Sequence, residues 1–421
     1  MSLQDTVSAE RIHIAFFGRR NAGKSSLVNA VTGQDLSIVS EVRGTTTDPV
    51  RKAMELLPLG PVVIVDTPGF DDEGELGELR VARTSRILAQ TDIAVLAVEA
   101  SVLGENGELP GPELEFLEVL SKRRIPCVIA ITKSDLRKSV VSSRTEREPI
   151  IALGAENPNE GVASVVVLPT SSVSGLGIRE LKEALGDFAK AIKKDRLIIA
   201  DRIPEHATVV LVTPIDESAP KGRLILPQQL TLRELLDAHC RILVCQPEEL
   251  ADTLAALREA PDLVITDSQA FAKVAAVVPD SVMLTSFSIL FARYKGNLET
   301  LLAGAAAIDA LKPGDRVLIS EGCTHHRQCN DIGTVKLPAL LSKRIGFRPE
   351  FAFTSGGDFP SDLSPYALII HCGGCMLNER EMQHRLALAD SAGVPIVNYG
   401  VAIAHMTGIL KRSTAVLSDP E

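Results

Sequence analysis

The chain has 421 residues, and because a domain usually takes about 100–200 residues, this length predicts roughly two to four domains. Hydrophobic residues make up 45% and charged residues 23%, a balance that excludes a disordered or fibrous protein. The net charge is −10 and no basic stripe is present, so we expect no nucleic-acid ligand. No apolar stretch approaches the about eighteen residues of a membrane helix and no signal peptide is evident, so we expect a cytoplasmic protein without membrane contact.

Short apolar strands alternate with helical stretches through the first part of the chain. The first strand covers residues 11–17, where apolar side chains alternate and end at Gly18. Further strands are predicted at 62–66, 93–98, 128–132 and 164–169, and helices near 76–89, 112–123 and 178–194. This alternation is typical of an α/β domain with a doubly wound, mainly parallel sheet, which we place at residues 1–195.

The same alternation resumes after a linker that contains Pro204. It predicts a second βα domain over residues 200–305 and a third over 306–421, each with a mainly parallel sheet. Strands predicted at 316–320 and 367–370 each lead directly into a cysteine motif.

The segment from Gly18 to Ser25 matches the P-loop pattern G-x-x-x-x-G-K-[ST] and lies between a strand and a helix, where that motif belongs. Its backbone amides can cradle phosphates, Lys24 can reach the outer phosphates, and the Ser25 hydroxyl can bind Mg²⁺. The predicted phosphate-binding residues are Gly18, Asn21, Ala22, Gly23, Lys24, Ser25 and Ser26.

Two further loops supply groups for Mg²⁺ and the γ-phosphate. Asp66 ends a predicted strand and is followed by Thr67-Pro68-Gly69, so its carboxylate suits the magnesium shell and Gly69 suits γ-phosphate sensing. Thr46, in the loop before that strand, is the predicted second hydroxyl ligand of Mg²⁺. We therefore expect the catalytic group to be Lys24, Thr46, Asp66 and Gly69.

A polar loop after the strand at 128–132 predicts the base that is bound. Asp135, preceded by Lys133, can accept hydrogen bonds from both N1–H and N2–H₂ of guanine, which adenine does not offer. Ser171 and Ser172 follow the next strand and complete the predicted pocket. The expected nucleotides are GTP and GDP.

Cysteine and histidine side chains follow two predicted strands of the last domain. Cys323 and His325 follow the first strand, and the second leads into His371, Cys372 and Cys375, with 45 residues between the two histidines. The two groups meet only if their strands are neighbours in one sheet. Three thiolates plus histidine suit either a Cys₃His zinc site or a [4Fe–4S] cluster, and spacing alone does not choose between them.

The first 195 or so residues resemble the small GTPases of the bacterial tRNA-modification and ribosome-assembly group, and the whole chain resembles the HydF family of [FeFe]-hydrogenase maturation GTPases. The second resemblance implies that residues 200–305 dimerise and that 306–421 carry a [4Fe–4S] cluster. It implies that Cys323, Cys372 and Cys375 ligate this cluster, with His371 or His325 as a candidate fourth ligand. The implied oligomer is a homodimer.

The resemblance also implies a scaffold function. Such a protein accepts a diiron precursor with CO, CN⁻ and a dithiolate bridge, made with two radical-SAM enzymes, and delivers it to apo-[FeFe]-hydrogenase. A P-loop Asn such as Asn21 accompanies a bound K⁺ in the resembling GTPases, so we expect K⁺ activation. Phe70 replaces the water-orienting Gln of Ras-like enzymes, so intrinsic hydrolysis should be slow, and Thr132 replaces the usual Asn of the guanine motif.

Two other functions remain open. One is an RNA-associated or ribosome-assembly GTPase with a structural zinc, although the acidic balance opposes RNA binding. The other is a redox-sensing GTPase whose intact cluster controls hydrolysis.

Overall fold

A computed structural model describes residues 9–34, 50–69, 77–104, 107–136, 164–192, 196–215, 224–322 and 331–418, with only the backbone described over 77–83. The predicted Thr46, Phe70, Cys323 and His325 therefore lie outside the described residues. The chain divides into two compact units, residues 1–194 and 195–421.

The first unit is built on a six-stranded sheet. Its strands are β1 (Ile12–Gly18), β2 (Val50–Leu56), β3 (Gly60–Asp66), β4 (Ile93–Glu99), β5 (Cys127–Thr132) and β6 (Val165–Pro169). Its helices are α1 (Lys24–Thr32), α2 (Gly77–Gln90), α3 (Gly111–Lys122) and α4 (Ile178–Ile192), with short 3₁₀ helices at Ala100–Val102 and Ser134–Leu136. The strand order is β2-β3-β1-β4-β5-β6, and only β2 pairs antiparallel. The predicted doubly wound α/β fold is confirmed.

The central strands are buried on both faces, which explains their nearly continuous apolar sequence. In β1, Ile14 and Phe16 join the core on one face of the sheet, whereas Ala15 and Phe17 join the core on the other. Strand β2 was not predicted, because its charged and exposed residues give an edge strand little apolar signal.

The second unit holds two four-stranded parallel sheets. The first contains β7 (Thr208–Val212), β8 (Arg241–Cys245), β9 (Leu263–Thr266) and β10 (Met283–Ser286) in the order β10-β9-β7-β8. The second contains β11 (Arg316–Glu321), β12 (Glu350–Ser355), β13 (Leu368–His371) and β14 (Ile396–Asn398) in the order β12-β11-β13-β14. One hydrophobic cluster contains Val210 of the first sheet and Ile319 of the second, so the two sheets share a core.

Helices cover these sheets. They are α5 (Leu226–Asp237), α6 (Leu250–Ala256), α7 (Phe271–Ala275), α8 (Phe287–Tyr294), α9 (Leu298–Ala306), α10 (Leu337–Ile345), α11 (Glu379–Ser391), α12 (Tyr399–Met406) and α13 (Leu410–Thr414). A π-helical turn, Ile332–Lys336, precedes α10, and 3₁₀ helices lie at Ala200–Arg202, Ala307–Ala310 and Ala415–Leu417. Within the described ranges, no helix is long and apolar enough to cross a membrane.

Candidate functional site

The P-loop connects β1 to α1 at the carboxyl edge of the first sheet. Gly23 precedes α1 with a φ of 84°, and Asn21 takes a φ of 62°, so the loop turns through left-handed backbone. A Cβ at Gly18 would lie 2.4 Å from the Ala97 carbonyl oxygen, so no larger residue fits there without a shift. Lys24 is 8% exposed and its ammonium donates to the carbonyls of Gly18 (3.0 Å) and Arg19 (2.7 Å). The Lys24 side chain therefore folds back onto the P-loop and binds two of its backbone carbonyls.

Ser25 and Asp66, two of the residues predicted for the magnesium site, lie together. Strands β1 and β3 are parallel neighbours in which Phe16 pairs with Asp66, so Asp66 ends beside the P-loop. The Ser25 hydroxyl donates to the Asp66 carboxylate at 2.9 Å, and burial raises the pKa of Asp66. A divalent cation between these oxygens would favour the charged carboxylate. Gly69 is the last described residue after Asp66 in this loop.

The guanine-side residues lie at the ends of β5 and β6, which are parallel neighbours. Asp135 is exposed within the 3₁₀ turn after β5, where its carboxylate is accessible to a base. Ser171 is buried and its hydroxyl accepts from the amides of Val173 (3.3 Å) and Ser174 (3.2 Å), which shapes the loop that also holds Ser172. Lys133 pairs with Glu99 at 2.8 Å.

Thr132 makes a contact that the sequence did not predict. Its hydroxyl donates to the carbonyl of Ala22 in the P-loop at 2.7 Å and lies 3.3 Å from the Val98 carbonyl. Threonine therefore ties the guanine motif to the P-loop although the usual asparagine is absent.

A second unpredicted contact holds the P-loop from outside. Arg19 forms a two-pronged ion pair with Glu113, at 2.7 Å from Nε and 2.8 Å from Nη2, and Glu113 is 1% exposed. Glu113 lies in the first turn of α3, so this pair joins that helix to the loop. Only the fold reveals it, because 94 residues separate the partners.

The cysteine motifs follow neighbouring strands. Strands β11 and β13 pair in parallel, with Ser320 opposite His371, so the neighbour relation that the two motifs require is present. Gly322, the last described residue before Cys323, donates its amide to the Cys372 sulfur at 3.0 Å, and Gly374 donates to the same sulfur at 3.4 Å. A Cβ at Gly322 would meet Leu377 at 2.7 Å.

These amides fit a metal-bound thiolate, because N–H donors aimed at sulfur stabilise its negative charge. Burial raises the pKa of the Cys372 thiol to about 11 and also raises the pKa of the Cys375 thiol. Both are therefore thiols unless a cation draws the protons off. Among the residues described, no group of three metal-ligating side chains is formed.

His371 has both ring nitrogens engaged. Nδ1 lies 2.7 Å from the Cys372 carbonyl oxygen and Nε2 lies 2.9 Å from Nη1 of Arg385. Because arginine only donates, Nε2 accepts and Nδ1 carries the proton. Burial, followed by the charge of Arg385, lowers the pKa of His371 to about 3, so the ring is neutral. In this conformation neither nitrogen offers a lone pair to a metal.

Comparison with known proteins bears on three parts of the chain. The family model for the hydrogen maturase F tetramerization domain matches residues 299–416, and that for the hydrogen maturase F dimerization domain matches residues 198–296. The model for the 50S ribosome-binding GTPase matches residues 13–133.

Curated relatives match the nucleotide-binding part. The tRNA modification GTPase MnmE of Hamiltonella defensa is 33% identical over 162 residues, which cover 38% of this chain and 34% of that protein. GTPase Der of Sulfurimonas denitrificans is 32% identical over 152 residues, covering 35% of this chain and 28% of that protein. The chain spans about a third of the length of these relatives. Among solved structures, the G domain of the T. maritima FeoB iron transporter is 23% identical and covers 42% of this chain and 99% of that chain, with a TM-score of 0.30.

Residues 13–133 match the GTPase family model and contain the P-loop and the Ser25–Asp66 pair. The guanine-side loops lie in the same unit. This first unit is therefore a P-loop GTPase domain. The two models that follow it in the chain cover about half of all residues. The chain therefore belongs to the hydrogen maturase F family.

Proposed function

We propose that this protein is a GTP-binding and GTP-hydrolysing scaffold that holds a [4Fe–4S] cluster, accepts a diiron precursor and delivers it to apo-[FeFe]-hydrogenase. The observation that carries the cluster part is the Cys372 sulfur, which accepts two backbone amides where β11 and β13 lead into the two cysteine motifs. Family membership supports the maturation role.

In this proposal Cys323, Cys372 and Cys375 hold the cluster and leave one iron position for an exchangeable ligand. Such a cluster supplies a site at which a second iron unit can be bound and released. The occupied nitrogens of His371 support a role in orienting the Cys372 backbone rather than in ligation. The apo-hydrogenase and two radical-SAM enzymes are the proposed partners.

The nucleotide domain would bind GTP or GDP with Mg²⁺ at Ser25, Thr46 and Asp66, and GTP would be hydrolysed slowly with activation by K⁺ beside Asn21. GTP can change cargo exchange only through a difference in its affinity for two states of the protein. Replacing Lys24 with Ala should abolish GTP turnover and leave iron content unchanged. Replacing Asn21 with Ala should remove stimulation by K⁺, and equal parental rates in Na⁺ and K⁺ would contradict the K⁺ proposal.

Iron and sulfide analysis of anaerobically purified protein tests the cluster. We expect about four irons and matching sulfide per chain. This content should be lost when Cys372 or Cys375 becomes Ala and retained in the matched control Cys245→Ala, whose cysteine lies in β8. Colourless protein with about one zinc would refute the carrier and favour an RNA-associated GTPase with a structural zinc.

The matched dimerization and tetramerization models support a homo-oligomer, and we propose at least a homodimer. Light scattering after size-exclusion chromatography measures its mass. A monomer at micromolar concentration would contradict this part of the proposal.

A further inference from the structure

A buried lysine lies against the turn that carries Cys375. Lys295 follows α8 and is 2% exposed. Burying an ammonium is costly unless its donors are satisfied, so a lysine this deeply buried needs specific acceptors. Its Nζ lies 3.0 Å from the carbonyl oxygen of Leu377 and 3.4 Å from that of Cys375.

Both acceptors belong to the backbone between β13 and α11, the segment that holds the two cysteines of the Cys-x-x-Cys pair. The turn is also closed by the Leu377 amide, which donates to the Gly374 carbonyl at 3.0 Å. On the lysine side, Gln383 donates from Nε2 to the carbonyls of Lys295 and Gly296, both at 3.1 Å. The end of α8 is therefore joined to the cysteine turn through Lys295 and to α11, the helix that follows this turn, through Gln383.

We propose that Lys295 is a positioning residue of the cysteine site, whose ammonium holds the Cys375–Leu377 turn in its ligand-binding shape and places a positive charge beside the bound group. This inference rests on the proposed cluster. Three thiolates around a [4Fe–4S] core carry net negative charge that grows on reduction, so a buried cation favours both binding and the reduced state. Nothing in the sequence motif points to Lys295, because 80 residues separate it from Cys375.

Three variants of the full chain separate this role from plain packing. Lys295→Met keeps the length of the side chain and removes its charge and donors. Lys295→Gln keeps a donor and removes the charge. Lys273→Met is the matched control, because Lys273 is an exposed lysine paired with Glu248.

Amide hydrogen exchange of the 372–377 segment in metal-free protein is the first measurement. We expect exchange about tenfold faster in Lys295→Met, which corresponds to about 1.4 kcal/mol. Lys273→Met should match the parent, and the β7 amides report whether each variant is folded. Parental exchange in both folded Lys295 variants would overturn the proposal, and this result does not depend on any metal.

The midpoint potential of the iron-loaded protein is the second measurement. We expect it to fall in both Lys295→Met and Lys295→Gln, because each removes the positive charge, and to stay at the parental value in Lys273→Met. An unchanged potential in both Lys295 variants would refute the charge role. A parent that takes up no cluster would instead refute the proposed function, while the exchange measurement still decides whether Lys295 holds the turn.

Discussion

Removing one partner of the buried ion pair between Arg385 and Glu381 should strongly destabilise α11. Arg385 is 0% exposed, and its guanidinium contacts the Glu381 carboxylate at 2.9 Å, His371 Nε2 at 2.9 Å and the Gly356 carbonyl at 2.7 Å. It also lies over the Phe359 ring, 5.0 Å from the ring centre. Glu381 is 4% exposed, and its second carboxylate oxygen has no hydrogen-bond partner among the described residues. Arg385 is therefore the main group that balances the buried negative charge of Glu381.

Replacing Arg385 with Met leaves this carboxylate buried without a counter-charge. Removing one partner of a buried pair typically costs about 3–5 kcal/mol, and we expect a loss of that size here. The double variant Arg385→Met with Glu381→Met also removes the unpaired carboxylate and should recover the part of the loss that this charge causes, while His371 Nε2 and the Gly356 carbonyl still lack their donor.

Native-state amide exchange of α11 in the full chain measures this free energy. The matched control is Arg233→Met, because Arg233 and Asp237 form an i,i+4 pair of the same spacing whose side chains are 73% and 59% exposed. That exposed pair should contribute little to stability, because water screens both charges. If Arg385→Met destabilises no more than Arg233→Met, the argument from burial is wrong.

Two other contacts give sharp expectations. Thr132→Val removes the hydroxyl that ties the guanine motif to the P-loop and should weaken GDP binding about two- to tenfold by calorimetry, with no change if that bond is unimportant. Gly177→Ala should lower the melting temperature of the nucleotide domain strongly, because its Cβ would lie 1.9 Å from the Pro169 carbonyl oxygen and its φ is +70°. Gly175→Ala, with a φ of +77° and open space around it, should cost less, and equal losses would show that backbone conformation alone decides.

The sequence predicted the parts of the fold that local patterns encode. Strands β1, β3, β4, β5 and β6 were predicted within a few residues, because buried parallel strands are continuous apolar runs. Strands β12 and β14 were not predicted. The first is only partly buried, and the second is three residues long and merges into α12. Such strands are stabilised by their neighbours in the sheet rather than by their own composition.

In the candidate sites too, residues of short motifs could be predicted from the sequence, whereas the residues that support them could not. The P-loop and the cysteine motifs are short patterns, so their residues could be named from the sequence. The groups that hold them could not, because Glu113, Thr132 and Lys295 act on backbone or side chains 80 or more residues away. His371 shows the limit most clearly, since its suitability as a ligand depends on whether its nitrogens are free and Arg385 occupies one of them.

Two basic residues at the end of α8 contact both the segment that follows the nucleotide-binding unit and the turn of Cys375. Arg293 donates to the carbonyls of Leu197 and Ile198 at 3.1 Å and pairs with Asp201, so it holds the segment that follows the nucleotide-binding unit. Two residues later, Lys295 holds the turn of Cys375. A displacement of the 197–201 segment would therefore pull on the same helix end that fixes the cysteine turn. Coupling between the nucleotide site and the proposed cluster would require such a shared element with two arrangements, and this helix end is where a search for the second arrangement should begin.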